Sequence, residues 1–243
     1  MRKAGLGLAL LALPLCPAAA ETPPAATKTH QSYDIIREGS TIGVNTVDVE
    51  RRGDTTQVKI GTKILVKVMF IEAYRFDHDS TEVWKTGQLV SFNSETNDNG
   101  TKHKVTATPG TDKLDILADG KHIEAPLTLR PASFWDRSFD QQKELFDPQN
   151  GKRLAVQIKD LGDEKITVHD AQRQARHYKI SGDLSRDVWY DGDTLVRLKL
   201  LGSDHSVIDS DLTQVASLPA DDTAAPAPAK KAGKNAAPAS AKH

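Results

Sequence analysis

The sequence predicts an all-β fold, a strongly twisted antiparallel sheet forming a barrel or half-barrel, and three observations carry that prediction. Apolar and polar residues alternate with a period of two along several segments. Glycine beside Asp, Asn or Ser recurs between those segments, as hairpin turns require. Only one stretch breaks the rhythm.

The clearest strand lies at 58–70. Val58, Ile60, Thr62, Ile64, Val66, Val68 and Phe70 occupy its even positions, while Lys59, Lys63 and Lys67 occupy odd ones. A helix would scatter these residues around its circumference, whereas a strand collects them on one face. Shorter alternating runs follow at Val105/Ala107, Leu114/Ile116, Leu154/Val156/Ile158, Tyr178/Ile180 and Val196/Leu198/Leu200. The expected turns are Gly39-Ser40, Gly53-Asp54, Asn99-Gly100, Asp119-Gly120, Asn150-Gly151, Gly162-Asp163, Gly182-Asp183 and Asp191-Gly192.

The exception is 126–150, which holds Pro126, Pro131 and Pro148 with the apolar pair Phe134-Trp135. Here a short helical crossover is expected near 136–146, with Asp136 or Ser138 as its N-cap. Its four aromatic residues, Phe134, Trp135, Phe139 and Phe146, mark it as a junction between two halves of one domain and not a solvated linker. The halves echo each other. Glu82-Val83-Trp84 runs to Gly87 and then Leu89-Val90, and Asp187-Val188-Trp189 runs to Gly192 and then Leu195-Val196.

The ends read differently. Residues 1–20 have a basic start at Arg2-Lys3, an apolar run from Ala4 to Leu15, and Ala18-Ala19-Ala20 before Glu21. This is the pattern of a cleavable export signal, and it predicts a periplasmic location. Cleavage after Ala20 removes Cys16, the chain's one cysteine, and with it thiol chemistry and Cys-ligated zinc. A polar stub follows at 21–30, then the domain at 31–218. The tail at 219–243 has ten Ala, four Pro and no aromatic, a composition that predicts disorder. The formal net charge of −1 includes +2 from the signal and +2 from the tail, so the domain carries about −5. That balance argues against nucleic-acid binding. No later run approaches the length of a membrane-spanning helix.

Catalytic spacings are missing: there is no G-x-S-x-G, no phosphate-binding G-x-x-x-x-G-K-[ST] and no H-E-x-x-H. Asp77-His78-Asp79, His169-Asp170 and Asp204-His205 read as polar residues at strand ends, since strand neighbours point to opposite faces; a metal or acid–base site assembled from them across strands is the alternative. The chain is therefore expected to be no enzyme and to need no metal or cofactor. The aromatic residues are the candidate binding set: Tyr74, Trp84, Phe92, Trp135, Trp189 and Tyr190 either fill the core or line a concavity for an apolar ligand.

Several motifs together resemble a family of exported proteobacterial proteins that is itself a domain of unknown function. They are Tyr33-Asp34-Ile35 with Gly39 and Ile42-Gly43, Glu82-x-Trp84-x-x-Gly87-x-Leu89-Val90, Thr96-Asn97-Asp98-x-Gly100, Ser133-Phe134-Trp135 and Trp189-Tyr190. The resemblance spans about 31–212 and implies a periplasmic antiparallel β-protein with no assigned activity. At the level of fold alone, long curved strands behind a signal also resemble the half-barrels of envelope lipoprotein carriers. Two functions stay open: a carrier of an apolar small molecule or lipid, and an envelope interaction or assembly protein whose partner is another envelope protein.

Overall fold

The computed structural model describes residues 25–202 and 204–219. The export signal, residues 21–24 of the polar stub and the tail beyond Pro219 lie outside the described residues. The described chain is almost entirely strand: β1 (Thr27–Arg37), β2 (Ser40–Arg52), β3 (Thr55–Val68), β4 (Ile71–Lys85), β5 (Gln88–Asp98), β6 (Thr101–Pro109), β7 (Lys113–Ala118) and β8 (Lys121–Pro126) form the first arm. The second arm is β9 (Arg130–Pro131), β10 (Glu144–Phe146), β11 (Arg153–Val168), β12 (Ala171–Gly182), β13 (Arg186–Asp191), β14 (Thr194–Leu201) and β15 (Val207–Leu218).

These make one 15-stranded sheet in the order β8-β7-β6-β5-β4-β3-β2-β1-β15-β14-β13-β12-β11-β10-β9. Each arm is a meander, and β15 returns to pair with β1 at the centre. The two free edges, β8 and β9, are neighbours in sequence but do not pair, so the sheet curls without closing. All pairings are antiparallel except β9 with β10. Register shifts at Ser32/Tyr33, Ile35/Ile36, Val66/Lys67, Val83/Trp84, Asp160/Gly162 and Trp189/Tyr190 bend the strands, as bulges do. The two echoing hairpins are real hairpins, β4–β5 and β13–β14, and each has its bulge beside the Trp.

All eight glycines of the expected turns have positive φ. Six stand at strand ends, Gly151 lies in the loop before β11, and Gly162 sits inside β11 beside a bulge. The strand expected at 58–70 ends at Val68, because the chain reverses at Met69-Phe70, both with positive φ. Phe70 therefore leaves the inward face and is fully exposed. Val58, Ile60, Ile64 and Val66 do face inward.

The expected helix at 136–146 is absent. Two isolated turns replace it, with Asp140 N–H donating to Arg137 O at 3.1 Å and Gln142 N–H to Phe139 O at 2.8 Å. The Tyr190 hydroxyl takes the carbonyls of Phe134 and Asp136 as acceptors, at 2.8 and 3.2 Å. From Glu144 the backbone is engaged with β11. Too few residues remain between these constraints to nucleate a helix. Asp136 accepts from Ser138 N–H at 3.1 Å, a local turn where an N-cap was expected.

The segment 127–152 joins the arms by packing between them. Phe146 meets Phe92 of β5 edge-on at 5.0 Å, and Phe139 meets Tyr178 of β12 at 5.8 Å and Tyr190 of β13 at 5.9 Å. Near the middle of the first arm, Gly43 lets β2 lie against β3: a Cβ there would stand 2.2 Å from Lys63 O and 2.9 Å from Ile64 Cα. Gly43→Ala is expected to cost about 2 kcal/mol or more in urea unfolding, because backbone must move. A change below about 0.5 kcal/mol would show that this pairing yields easily.

Candidate functional site

Between the curled sheet and the bridging segment lies a cavity of about 810 Å³. Its position follows from local sequence. The even residues of β3 and the apolar inward residues of β1, β14 and β15 supply Ile35, Ile60, Ile64, Val66, Leu198 and Ile208, and the bridging segment contributes Phe134 and Trp135. That volume lies within the range of small-molecule sites, and a wall that mixes aliphatic with polar side chains suits an amphipathic occupant.

One part of the wall is polar. Along β4 the inward positions read Phe76, His78, Ser80, Glu82 and Trp84, so polar side chains interrupt an otherwise apolar face. His78 is buried, not at a strand end as expected, and its Nδ1 lies 2.8 Å from Thr96 Oγ1. Burial lowers its pKa, and the carboxylates of Asp79 and Asp147 pull the other way. Ser80 Oγ is buried at the cavity wall without a hydrogen-bond partner among the described residues. Arg186 reaches the same cavity and donates to Ser185 O at 2.7 Å; burial lowers its pKa, against the pull of Asp147. Tyr74 donates to Asp98 Oδ1 at 2.9 Å, and burial followed by that carboxylate raises its pKa to about 12. The cavity can thus hold an apolar body and offer hydroxyl, imidazole and guanidinium groups to a polar end.

Trp135 separates this cavity from a second, more polar recess at the opposite end of the sheet, of about 790 Å³. At the partition Glu82 is completely buried. Its Oε2 accepts from the indole N–H of Trp84 at 2.8 Å and of Trp135 at 2.9 Å. Burial pushes the Glu82 pKa up to about 7, despite the opposing pull of Ser133 and the two indoles. Oε1 has no partner in good hydrogen-bonding geometry among the described residues. The Arg130 guanidinium lies over the Trp84 ring at 3.9 Å and near Asp136 at 3.7 Å.

Of the six aromatic candidates, Tyr74 and Trp135 line the cavity. Trp84 lines the second recess, joined to Trp135 through Glu82. Phe92 packs in the core against Phe146, and Tyr190 is buried with its hydroxyl on the bridging segment. Trp189 stacks on His177 at 4.2 Å and donates to Glu164 at 2.6 Å. His78, Ser80, Glu82 and Arg186 were not singled out from sequence as binding residues. The signal for three of them was their common parity with Trp84 on β4; Arg186 carried none.

Among the described residues no three His, Cys, Asp or Glu side chains gather as metal ligands, and no helix is long and apolar enough to cross a membrane. No curated protein matches the chain. A family model described as a domain of unknown function (DUF6134) matches residues 33–213, which takes in both arms of the sheet and the segment between them. With most of its length covered by that match, the chain belongs to the DUF6134 family.

Proposed function

We propose that this protein is a periplasmic binding or carrier protein that holds an apolar or amphipathic molecule, such as a lipid, without turning it over. The observation that carries the reading is the roughly 810 Å³ cavity, walled mainly by aliphatic side chains of β1–β3, β14 and β15. Ser80, His78 and Arg186 give the polar end of such a molecule its partners. The export pattern at 1–20 supports the location.

Native mass spectrometry of the protein as recovered from cells, followed by solvent extraction, tests the reading directly. A co-purifying apolar molecule is expected. The fluorescent probe 1-N-phenylnaphthylamine then reports on the cavity. Thr62→Trp and Leu198→Trp place an indole into the space from opposite walls. Each is expected to weaken probe binding at least about tenfold while changing melting temperature little, since the indole enters empty volume. A wild-type protein that carries no molecule and takes up no probe would end the carrier reading.

A further inference from the structure

The longest feature that the cavity does not explain is the far end of the β3–β4 hairpin. Strand β3 leaves β2 after Ile64, and β4 does not meet β5 until Phe76. Residues 65–75 therefore form a two-stranded finger whose strands pair only with each other, from Leu65 opposite Arg75 to Val68 opposite Ile71; Tyr74 and the Arg75 carbonyl tie its base to Asp98 and Asn99. Four residues at about 3.3 Å each carry it roughly 13 Å beyond the sheet.

Its tip is apolar and exposed: Val68 57%, Met69 86%, Phe70 101% and Ile71 72%. Met69 and Phe70 both adopt positive φ, at 49° and 69°. A two-residue turn of this kind favours Asn-Gly, so Met-Phe is a poor choice for the turn itself. Two large apolar side chains held outward in a strained turn answer to something outside the domain.

Charge and position indicate what that is. Residues 63–77 contain Lys63, Lys67 and Arg75 against Glu72 and Asp77, a net +1 on a domain of about −5. Arg75 donates to Asp77 at 2.7 Å, which leaves Lys63 and Lys67 as the solvent-facing cations outside that pair. The finger rises from the same end of the sheet as the cavity rim, where Val66 and Leu201 line the cavity and Leu201 is also 57% exposed. An apolar tip above two exposed lysines, beside the cavity rim, matches an anionic lipid surface: hydrocarbon for the tip, headgroups for the lysines. We infer that the finger at 65–75 docks this protein on an anionic membrane, with Met69 and Phe70 inserted among the lipids and Lys63 and Lys67 at the headgroups. The inference uses where the cavity opens and not whether it is filled.

The test is flotation of protein expressed from the full sequence, its N-terminus checked by intact mass. One set of vesicles contains phosphatidylethanolamine with phosphatidylglycerol, the other phosphatidylcholine alone. The wild type is expected to float with the anionic vesicles and weakly with the neutral ones. The double variant Met69→Asn, Phe70→Gly is expected to lose at least about tenfold in partitioning. Asn-Gly suits the turn, so its melting temperature should hold or rise, which separates lost docking from lost fold. Lys63→Gln with Lys67→Gln should weaken flotation on anionic vesicles alone. A wild type that floats with neither vesicle overturns the inference and leaves the tip to a protein partner; so does an Asn-Gly variant that floats as well as wild type. A protein that floats but takes up no 1-N-phenylnaphthylamine ends the carrier reading and leaves this one standing.

Discussion

Phe146→Ala is expected to lower stability by about 3–5 kcal/mol in urea unfolding, among the largest effects of any single substitution in the chain. The side chain is fully buried, edge-on to Phe92, within the segment that packs between the arms. Its backbone is equally committed: Phe146 pairs with Arg153 and Pro131, and its carbonyl accepts from Ala132 N–H at 2.9 Å. The surroundings therefore have little freedom to collapse onto the lost ring, and the cavity contribution adds to the lost transfer energy. Phe70→Ala is the internal comparison. That ring is fully exposed, so its removal is expected to change stability by less than about 0.5 kcal/mol. If Phe146→Ala cost under about 1 kcal/mol, the bridging segment would be loosely seated and the cavity wall behind it soft.

Glu82→Gln is expected to remove a pH dependence of up to about 3 kcal/mol. The folded pKa of about 7 stands above the ordinary 4.5, with burial as the main cause. At low pH the carboxyl is protonated in both states and burial costs little charge. As pH rises from 4.5 to about 7 the unfolded chain loses this proton while the folded chain keeps it, so this group's contribution to stability falls across that window. Gln mimics the protonated acid and keeps an oxygen for the two indoles. Relative to Glu82→Gln, the wild type should therefore lose stability between about pH 4.5 and pH 7 and then level off. His78 acts in the opposite sense, because its lowered pKa stabilises the fold at higher pH and is lost on acidification. That is why the comparison is with the Gln variant and not the raw pH profile. Parallel curves for the two proteins would mean that Glu82 is ionised in the fold, with Arg130 as its compensation.

These effects concern residues whose surroundings were unequally readable beforehand. Glu82 and Trp84 were visible as a pair two residues apart on one strand face. Nothing in that spacing showed that Trp135, far along the chain, supplies a second indole to the same oxygen. Phe146 was visible as one of four aromatics that a solvated linker would not carry. Its helix was not to be found, because Tyr190 and β11 compete for the backbone that a helix would have used. Phe70 extended the alternation of 58–70 by parity alone, yet the chain turns one residue earlier, at Met69.

The sequence alone determined that the chain is an antiparallel all-β sheet, which residues share a face in the segments that alternate most clearly, and that the glycines marking its rhythm sit at positive φ. Those properties follow from the two-residue period of a strand and from local backbone sterics, which act within a few residues. Only the tertiary structure decided which inward side chains meet the bridging segment and which face empty space. It separated Tyr74 and Trp135, on the cavity, from Phe92 and Tyr190, in the core. It also left a finger at 65–75 without a neighbouring strand. Alternation sets the side on which a residue stands. What lies opposite it depends on how far the sheet curls and on a segment more than fifty residues away, and no local pattern encodes either.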